Sequence, residues 1–177
     1  MKRLRVTEFT ECNVEGDMTN RTAFLTMLSV SEGTSTSKAT KRNGYDVIVT
    51  GADGKPEVFT DFSDHPFAKG RAAKVINSKG LKSTASGRYQ HLVGDWAHYK
   101  AQLQLPDFGP ESQDKWALQL IRERHALDDI DAGRIEAAIS KVRNLWASLP
   151  GAGYGQRENS LAHLLEAYRA AGGTLAE

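Results

Sequence analysis

The apolar residues that follow Thr19 recur with the spacing of an α-helix. Four of them are separated by three or four positions and so share one helix face: Ala23, Phe24, Met27 and Leu28. Thr19 or Asn20 can cap the start of this helix, and Gly33 is a natural stop. Residues 1–18 lack a sustained period, so we expect them to form an irregular or partly ordered N-terminal lead.

A different pattern follows the helix. The run "YDVIVTG" (45–51) is rich in β-branched residues and predicts a strand. The polar run "ADGKPE" (52–57) predicts a turn, and "VFTDF" (58–62) can return as a second strand. A hairpin of this size is not stable by itself, so helices must pack against it.

Residues 66–82 form a basic segment. It contains five cationic side chains and no acidic one: Lys69, Arg71, Lys74, Lys79 and Lys82. The pattern is typical of a solvated loop, and a surface for an anionic ligand is the alternative.

The rest of the chain is mainly helical by pattern. Helices are predicted from near Ser86 through "RYQHLVGDWAHYKAQL", and around 112–126, 131–148 and 156–171. Three tryptophans fall within these patterns and are expected in the core: Trp96, Trp116 and Trp146. The order of elements predicts one α+β domain over residues 19–177, with a small sheet region and a mainly helical lobe.

Composition and charge limit the function classes. The chain has 177 residues, of which 40% are hydrophobic and 25% charged, as in ordinary globular proteins. Its formal net charge of +1 gives no overall attraction to nucleic acid, and we find no nucleic-acid-binding motif. We therefore expect no nucleic-acid partner.

The sequence also bears on the compartment. Cys12 is the single cysteine, which excludes an intramolecular disulfide and favours a reducing compartment. No apolar run approaches the roughly 20 residues that cross a bilayer, and the basic start lacks the apolar region of a signal peptide. We expect a monomeric protein of the producing cell's cytoplasm, without stable membrane association.

Glu32 is the strongest candidate for chemistry. It falls in the last turn of the first predicted helix, where the helix dipole disfavours a carboxylate by a few tenths to ~1 kcal/mol. Negative potential and partial burial both raise the pKa of a carboxyl group, as a general acid near neutral pH requires. A solvent-facing glutamate that merely tolerates this position is the alternative.

Polar residues of the predicted sheet region are further candidates. Tyr45, Asp46 and Asp61 can supply polar groups to a cleft, although Asp is also favoured in turns for local hydrogen bonds. The five histidines show no spacing typical of a zinc site, so no metal or other cofactor is expected. The loop "SLPGAGYGQ" (148–156) lacks the Lys-Ser/Thr of a P-loop, but Tyr154 can cover a sugar ring.

Seven blocks of the sequence carry a family resemblance. They are "SEGT" (31–34), "NGYDVIV" (43–49), "FTDFSDHP" (59–66), "LKSTASGRYQ" (81–90), "SQD" (112–114), "LWASLPGAGYGQ" (145–156) and "AGGT" (171–174). In this order they closely resemble the lysozymes, or endolysins, of lambdoid bacteriophages. The resemblance covers roughly residues 21–174.

The resemblance implies a lysozyme-like α+β fold with a cleft between the sheet region and the helical lobe. It implies a lytic transglycosylase that cuts the MurNAc-β-1,4-GlcNAc bond of peptidoglycan and leaves 1,6-anhydromuramic ends. The catalytic glutamate of the family's "SEG" motif falls on Glu32. Together with the arguments above, the matching blocks give these substrate-binding candidates: Tyr45, Asp46, Asp61, Tyr89, Gln90, Gly153 and Tyr154.

A single essential carboxylate suits this reaction. Glycoside hydrolysis ordinarily uses two, whereas in a transglycosylase the muramoyl O6 is the nucleophile. From the residues alone Asp46 or Asp61 can still be a second carboxylate. A muramidase that uses water and a non-catalytic peptidoglycan-binding domain therefore remain alternatives.

The resemblance has departures and consequences for partners. Val30 stands where the family has a tryptophan, which bears on sugar contacts near Glu32. Residues 66–80 diverge most and are expected to form one mobile lip of the cleft, with the loop 148–156 opposite. Peptidoglycan glycan strands are the expected partner. A holin is expected to release the enzyme from the host cytoplasm to the periplasm and cell wall at lysis.

Overall fold

The computed structural model describes residues 8–155 and 157–177, with side chains from Thr19 onward. The chain forms two compact units. One comprises the chain up to Met27 together with Ile121–Glu177, and the other comprises Leu28–Leu120. Residues 1–7 of the predicted lead lie outside the described residues, and the assignment of 19–177 to one domain stays a prediction.

The described residues form six helices and four short strands. The helices are α1 (Glu8–Ser31), α2 (Val93–Gln102), α3 (Pro110–Glu123), α4 (Leu127–Asp131), α5 (Ile135–Val142) and α6 (Leu161–Ala170). The strands are β1 (Val47–Ile48), β2 (Glu57–Val58), β3 (Lys74–Val75) and β4 (Lys82–Ser83). The predicted α+β class is confirmed. No helix within the described ranges has the length and apolarity needed to cross a membrane.

Helix α1 buries the face that the apolar spacing predicts. The four side chains of that face are all fully buried: Ala23, Phe24, Met27 and Leu28. The predicted start at Thr19 is wrong, because the backbone is already helical at Glu8. An established helix gains one hydrogen bond per added residue, so it can extend through a segment that has no amphipathic period.

The sheet region consists of two small antiparallel hairpins. Strand β1 pairs with β2 in the register Val47 to Val58, as the pattern predicts. Strand β3 pairs with β4 inside the basic segment, where a loop was the simpler expectation. The side chain of Asn77 accepts hydrogen bonds from the backbone N–H groups of Lys79 and Leu81, both at 3.0 Å. This side-chain-stabilised turn explains why so polar a segment forms a hairpin.

Two predicted helices have the wrong bounds. Helix α2 begins at Val93 rather than near Ser86, because Ser86 instead forms β-bridges with Ile48 and His91. The predicted helix over 131–148 shortens to α5, because the chain turns at Gly133 after the separate short helix α4. Both errors arise from tertiary pairing that helical periodicity does not report.

The unit Leu28–Leu120 has an aromatic core. Seven buried side chains form it: Ile48, Phe59, Phe67, Trp96, Leu105, Phe108 and Trp116. The imidazole of His91 stacks on Trp116, with ring centroids 4.0 Å apart and planes 3° apart. His65 donates from Nε2 to the His91 carbonyl oxygen at 3.1 Å. Burial among these rings lowers the pKa of His65 and lowers the pKa of His91 to about 3.

The other unit is held by polar contacts around Asn20. The Asn20 side chain donates to the Asp131 carbonyl oxygen at 3.1 Å and accepts from the Thr174 backbone N–H at 2.9 Å. Arg21 binds the Asp131 carboxylate through two hydrogen bonds of 2.7 and 2.5 Å. These contacts tie the start of the chain to its C-terminal segment, and Trp146 is buried in the same unit.

The buried histidines predict an acid-sensitive fold. An unfolded histidine has a pKa near 6.5, well above that of folded His91, so the unfolded state binds more protons below that pH. Their contribution to stability is fully present above about pH 6.5 and is lost as the pH falls toward about 3. For one such group the free energy of unfolding falls by up to about 1.4 kcal/mol per pH unit.

Urea unfolding between pH 7.5 and pH 5, in steps of roughly half a unit, measures this slope. His91→Gln should flatten it, because glutamine does not titrate, whatever the variant does to absolute stability. His98→Gln, which changes an exposed histidine, is the control and should keep the wild-type slope. Equal slopes in all three proteins would refute the role of His91.

Candidate functional site

Glu32 occupies the C-cap of helix α1. The N–H of Gly33 donates to the Val30 carbonyl oxygen and the N–H of Thr34 donates to that of Ser29, both at 3.0 Å. With Gly33 at a φ of 69°, these two bonds form a Schellman motif. The motif ends the helix sharply at Glu32, whose side chain is half-buried. The position predicted for the candidate acid is therefore produced by local backbone geometry.

Thr34 fixes this turn to a second turn of the same unit. Its Oγ1 lies 2.6 Å from the carbonyl oxygen of Arg88, to which it donates a hydrogen bond. Thr34 is buried, as is Arg88, so this bond is shielded from water. The residue two positions after Glu32 thus connects "SEGT" to "SGRYQ".

Gly44 allows a third segment to approach the Glu32 turn. A Cβ atom at this position would lie 2.9 Å from the backbone N of Ser35 and 2.9 Å from Oγ1 of Thr34. Gly44 also has a φ of 91°, which other residues rarely adopt. The glycine of "NGYD" is required here by close packing against the turn.

Tyr45 and Tyr89 share one acceptor. Their hydroxyl groups donate to Oδ1 of Asp114, at 2.8 Å from Tyr45 and 2.6 Å from Tyr89. The two rings meet edge to face, with centroids 6.3 Å apart. Burial and the Asp114 charge raise the pKa of Tyr45 to about 12 and that of Tyr89 well above its usual value. Both phenols therefore stay protonated, as hydrogen-bond donors.

Arg88 lies against this pair of tyrosines. Its guanidinium carbon is 5.0 Å from the centroid of the Tyr45 ring, and its Nη1 donates to the Asn43 carbonyl oxygen. The cation over the ring face is favourable. Tyr45 and Tyr89 are thus held together by shared contacts, and their predicted contact with substrate stays a prediction.

Gln113 joins the segments around the tyrosines. Its side-chain oxygen accepts from the backbone N–H of Arg88 at 2.9 Å. Its Nε2 donates to the carbonyl oxygens of Tyr45 at 3.0 Å and Phe108 at 2.8 Å. A Cβ atom on Gly87 would lie 2.2 Å from the Gln113 oxygen, so only glycine fits there. One buried amide thereby positions two loops of the candidate site.

Asp46 holds the loop that precedes it. Its two carboxylate oxygens accept hydrogen bonds from the Thr40 hydroxyl group and from the backbone N–H of Lys41, the latter at 2.9 Å. The side chain is buried. These contacts match the alternative of a turn-forming aspartate, and its predicted contact with substrate stays a prediction.

Asp61 lies in a turn at the edge of a surface cavity. Its Oδ1 accepts from the Ser63 backbone N–H at 2.9 Å, and the hydrogen bonds to Ser63 lower the pKa of its carboxyl group. The cavity has a volume of about 300 Å³ and is also lined by His65, Lys69 and Arg71. Glu32 is not among the residues that line it.

Gln90 adopts a φ of 53°, which is unusual for a residue other than glycine. Its side-chain Nε2 donates to the Gly87 carbonyl oxygen at 3.0 Å, closing the turn that contains Arg88 and Tyr89. This internal bond orients the side chain. Its predicted contact with substrate remains a prediction.

Gly153 and Tyr154 belong to the unit that contains α5 and α6. Tyr154 is 57% exposed, and its hydroxyl group donates to the Asn144 carbonyl oxygen at 2.9 Å. The Glu158 carboxylate accepts from the N–H groups of Gly151 and Gly153, each at 2.8 Å. The glycines predict a mobile loop here. The side chain of Glu158 binds two backbone N–H groups of that loop.

Metal binding finds no support in the described side chains, since no group of three His, Cys, Asp or Glu residues there could hold an ion.

Four residues of the arrangement were missed by sequence reasoning. Arg88, Gln113, Asp114 and Glu158 act through contacts that no helical or strand period reports. Gln113 and Asp114 belong to the "SQD" block. The match of that block to the family was the signal that could have identified them. For Glu158 the sequence held no signal.

Comparison with known proteins identifies close relatives. The family model described as Endolysin matches residues 22–175. The chain is 70% identical over 154 residues to the endolysin of Escherichia phage P2, covering 87% of this chain and 93% of that protein. It is 52% identical over 158 residues to the endolysin of Escherichia phage lambda, covering 89% and 94%.

Solved structures agree. The bacteriophage lambda lysozyme complexed with a chitohexasaccharide superposes with a TM-score of 0.80 at 46% identity, covering 99% of both chains. A second structure of the lysozyme from bacteriophage lambda gives a TM-score of 0.76 at 45% identity, again covering 99% of both chains. The lysozyme-like fold that the sequence resemblance implied is therefore confirmed.

Thr34→Val should weaken the turn that carries Glu32. The substitution keeps the shape and removes a buried hydroxyl group that bonds to the carbonyl oxygen of Arg88 at 2.6 Å and lies 3.2 Å from that of Ser29. We expect a loss of about 1–3 kcal/mol in stability and a larger loss in lysis of peptidoglycan than stability explains. Chemical unfolding and turbidity assays measure the two effects.

The control is Thr36→Val, which removes a hydrogen bond of 3.3 Å from an exposed hydroxyl group to the Gly33 carbonyl oxygen, a bond that water can replace. It should leave both quantities close to wild type. Wild-type activity and stability in Thr34→Val would contradict the proposed support of the turn.

Glu158→Gln should loosen the loop 148–155. The glutamine side chain has one acceptor oxygen, whereas the N–H groups of Gly151 and Gly153 now bind the two carboxylate oxygens of Glu158. The same two bonds lower the pKa of Glu158, so both are fully formed above about pH 4.5. These two hydrogen bonds should be lost as the pH falls through the lowered pKa of Glu158 in the folded protein.

Hydrogen exchange at the Gly151 and Gly153 amides should accelerate in this variant. Glu166→Gln removes the same charge from an exposed position on α6 and serves as the matched control. Unchanged protection in Glu158→Gln at neutral pH would show that these two bonds are absent in solution.

Proposed function

Because this chain belongs to the endolysin family, and so degrades bacterial peptidoglycan in host lysis, we propose that it acts as a lytic transglycosylase. The bond cleaved is the β-1,4 linkage from N-acetylmuramic acid to N-acetylglucosamine. The product carries a 1,6-anhydro ring in place of a reducing end. Cleavage requires no metal or cofactor in this proposal.

The observation that carries the proposal is the position of Glu32. Glu32 is the C-cap residue of α1, at the negative end of the helix dipole, and it is half-buried. We propose that this position suits a general acid.

In the proposed reaction Glu32 first gives its proton to the glycosidic oxygen. The bond from the muramoyl C1 to that oxygen breaks, and positive charge develops at C1 as in other glycoside cleavages. The muramoyl O6 then forms a bond to C1, and its hydroxyl proton passes to Glu32. The acid is regenerated, and water enters no step. Intramolecular attack also gains from proximity.

The surroundings of the other carboxylates support a single-acid mechanism. Asp46 is buried, and both of its oxygens already accept hydrogen bonds within the fold. Asp61 is bonded to Ser63 in its own turn and lines a cavity that does not include Glu32. Hydrolysis by the usual routes needs a second carboxylate beside the acid, and we propose no such role for either aspartate.

The substrate-binding residues of the proposal are those of the sequence prediction. The lambda lysozyme structure that this chain resembles contains a chitohexasaccharide, which supports a glycan as the ligand. We propose that the exposed ring of Tyr154 packs on a sugar face. The hydroxyl groups of Tyr45 and Tyr89 donate to Asp114. We therefore propose that these two tyrosines contribute to the glycan site through their rings rather than through their hydroxyl groups.

We also propose the route by which the enzyme reaches its substrate. The protein accumulates as a monomer in the host cytoplasm and passes to the periplasm and cell wall when a holin opens the membrane.

Analysis of the digestion products tests the function. Mass spectrometry of peptidoglycan treated with the purified protein should show muropeptides lighter by one water molecule than hydrolysed ones. Reducing-end muropeptides as the main product would replace the transglycosylase with a muramidase. Release of no fragments at all would favour a binding domain.

The same digestion with Glu32→Gln tests the assigned acid. Glutamine keeps the shape but has no transferable proton, so the rate should fall by at least ~10²-fold in a protein that still folds. A folded Glu32→Gln protein with near-normal turnover would remove Glu32 from the mechanism.

A further inference from the structure

The hairpin formed by β3 and β4, residues 74–83, is the tip of the basic segment. We call it the basic hairpin. The segment 66–82 has five cationic side chains and no acidic one. No step of the proposed reaction uses this charge. The sugar rings of peptidoglycan offer no charge to pair with it where the lactyl carboxyl group of N-acetylmuramic acid is joined to a stem peptide.

Part of the positive charge is neutralised within the fold. Glu57 of β2 forms ion pairs with Arg71 and with Lys74, the latter at 3.0 Å. The bond from Arg71 lowers the pKa of Glu57, so this carboxylate stays ionised. These two cations therefore serve to attach the segment to the first hairpin.

Two lysines of the basic hairpin lack such a partner. Within the part of the chain that the structure describes, neither Lys79 nor Lys82 forms an ion pair, and both are exposed. Their backbone positions are nevertheless defined. The N–H of Lys79 is bonded to the Asn77 side chain, and Lys82 pairs across the hairpin with Val75.

Apolar surface lies beside these charges. Leu81 is 52% exposed and Val75 is 43% exposed, although both are large hydrophobic residues. Each is next to a lysine, in sequence for Leu81 and across the strand pair for Val75. The hairpin thus presents two exposed aliphatic side chains and two ammonium groups that form no ion pair within the described residues.

We propose that the basic hairpin binds the stem peptides of peptidoglycan, in a role that rests on the proposed function. Stem peptides combine alanine methyl groups with free carboxylates of their acidic residues and chain ends. Lys79 and Lys82 pair with the carboxylates, while Leu81 and Val75 contact the methyl groups. The site gives the enzyme affinity for peptide-bearing strands over bare glycan.

The test measures binding to purified sacculi by proteins that all carry Glu32→Gln, so that the polymer stays intact. The test variant adds Lys79→Gln and Lys82→Gln. The matched control adds Lys38→Gln and Lys55→Gln, which remove the same charge from exposed positions elsewhere in the unit Leu28–Leu120. Each protein is also tested on sacculi whose carboxylates have been converted to amides, on chitohexaose, and on phosphatidylglycerol vesicles.

We expect the test variant to bind native sacculi about 3- to 10-fold more weakly at low salt, as two exposed ion pairs allow. The test variant should bind amidated sacculi and chitohexaose as tightly as the control variant does. The control should bind native sacculi as the parent protein does.

Three results would overturn the proposal. The first is equal binding of the test and control variants to native sacculi. The second is a loss of affinity for amidated sacculi as large as the loss for native sacculi. The third is a loss of affinity for the vesicles alone. Failure of the proposed catalytic mechanism has a separate signature, because fragments released by the Glu32→Gln proteins would contradict the acid without affecting the comparison of lysines.

Discussion

The hydrogen bond from Thr34 to the Arg88 carbonyl oxygen connects the parts of the site on which the proposed chemistry depends. It fixes the Schellman turn of α1, and with it Glu32, to the turn of residues 87–90. Gly44 brings a third segment against the same turn. Because the bond is buried, water does not compete with it, and breaking it costs about 1–3 kcal/mol.

Gln113 extends this support to the aromatic residues. Its amide binds the backbone of Arg88 and of Tyr45, and the neighbouring Asp114 accepts from both tyrosine hydroxyl groups. A preformed environment of this kind positions an acid without reorganisation during the reaction. Arg88, Asp46 and Asp114 each bind neutral backbone or hydroxyl groups of the fold, and Glu32 is the side chain we assign to proton transfer.

Much of this could be predicted from sequence, for physical reasons that differ by residue. The end of α1 at Glu32 was predictable because Gly33 stops a helix by local geometry. The role of Gln113 was not, because its bond to Tyr45 joins residues 68 positions apart and leaves no periodic signal. The β3–β4 hairpin was missed because its turn depends on the Asn77 side chain rather than on a hydrophobic pattern. The glutamate and several binding candidates followed from their positions in the predicted elements. Family resemblance supplied their roles and the remaining candidates, and all of these assignments stay predictions.

The central claim is that the muramoyl O6, and not water, attacks C1 after Glu32 protonates the leaving oxygen. Digestion of peptidoglycan in ¹⁸O-labelled water followed by mass spectrometry tests it most directly. The account predicts that the newly formed muramoyl ends contain no heavy oxygen, because water enters no step. Incorporation of one heavy oxygen atom at C1 of those ends would contradict the account and establish hydrolysis.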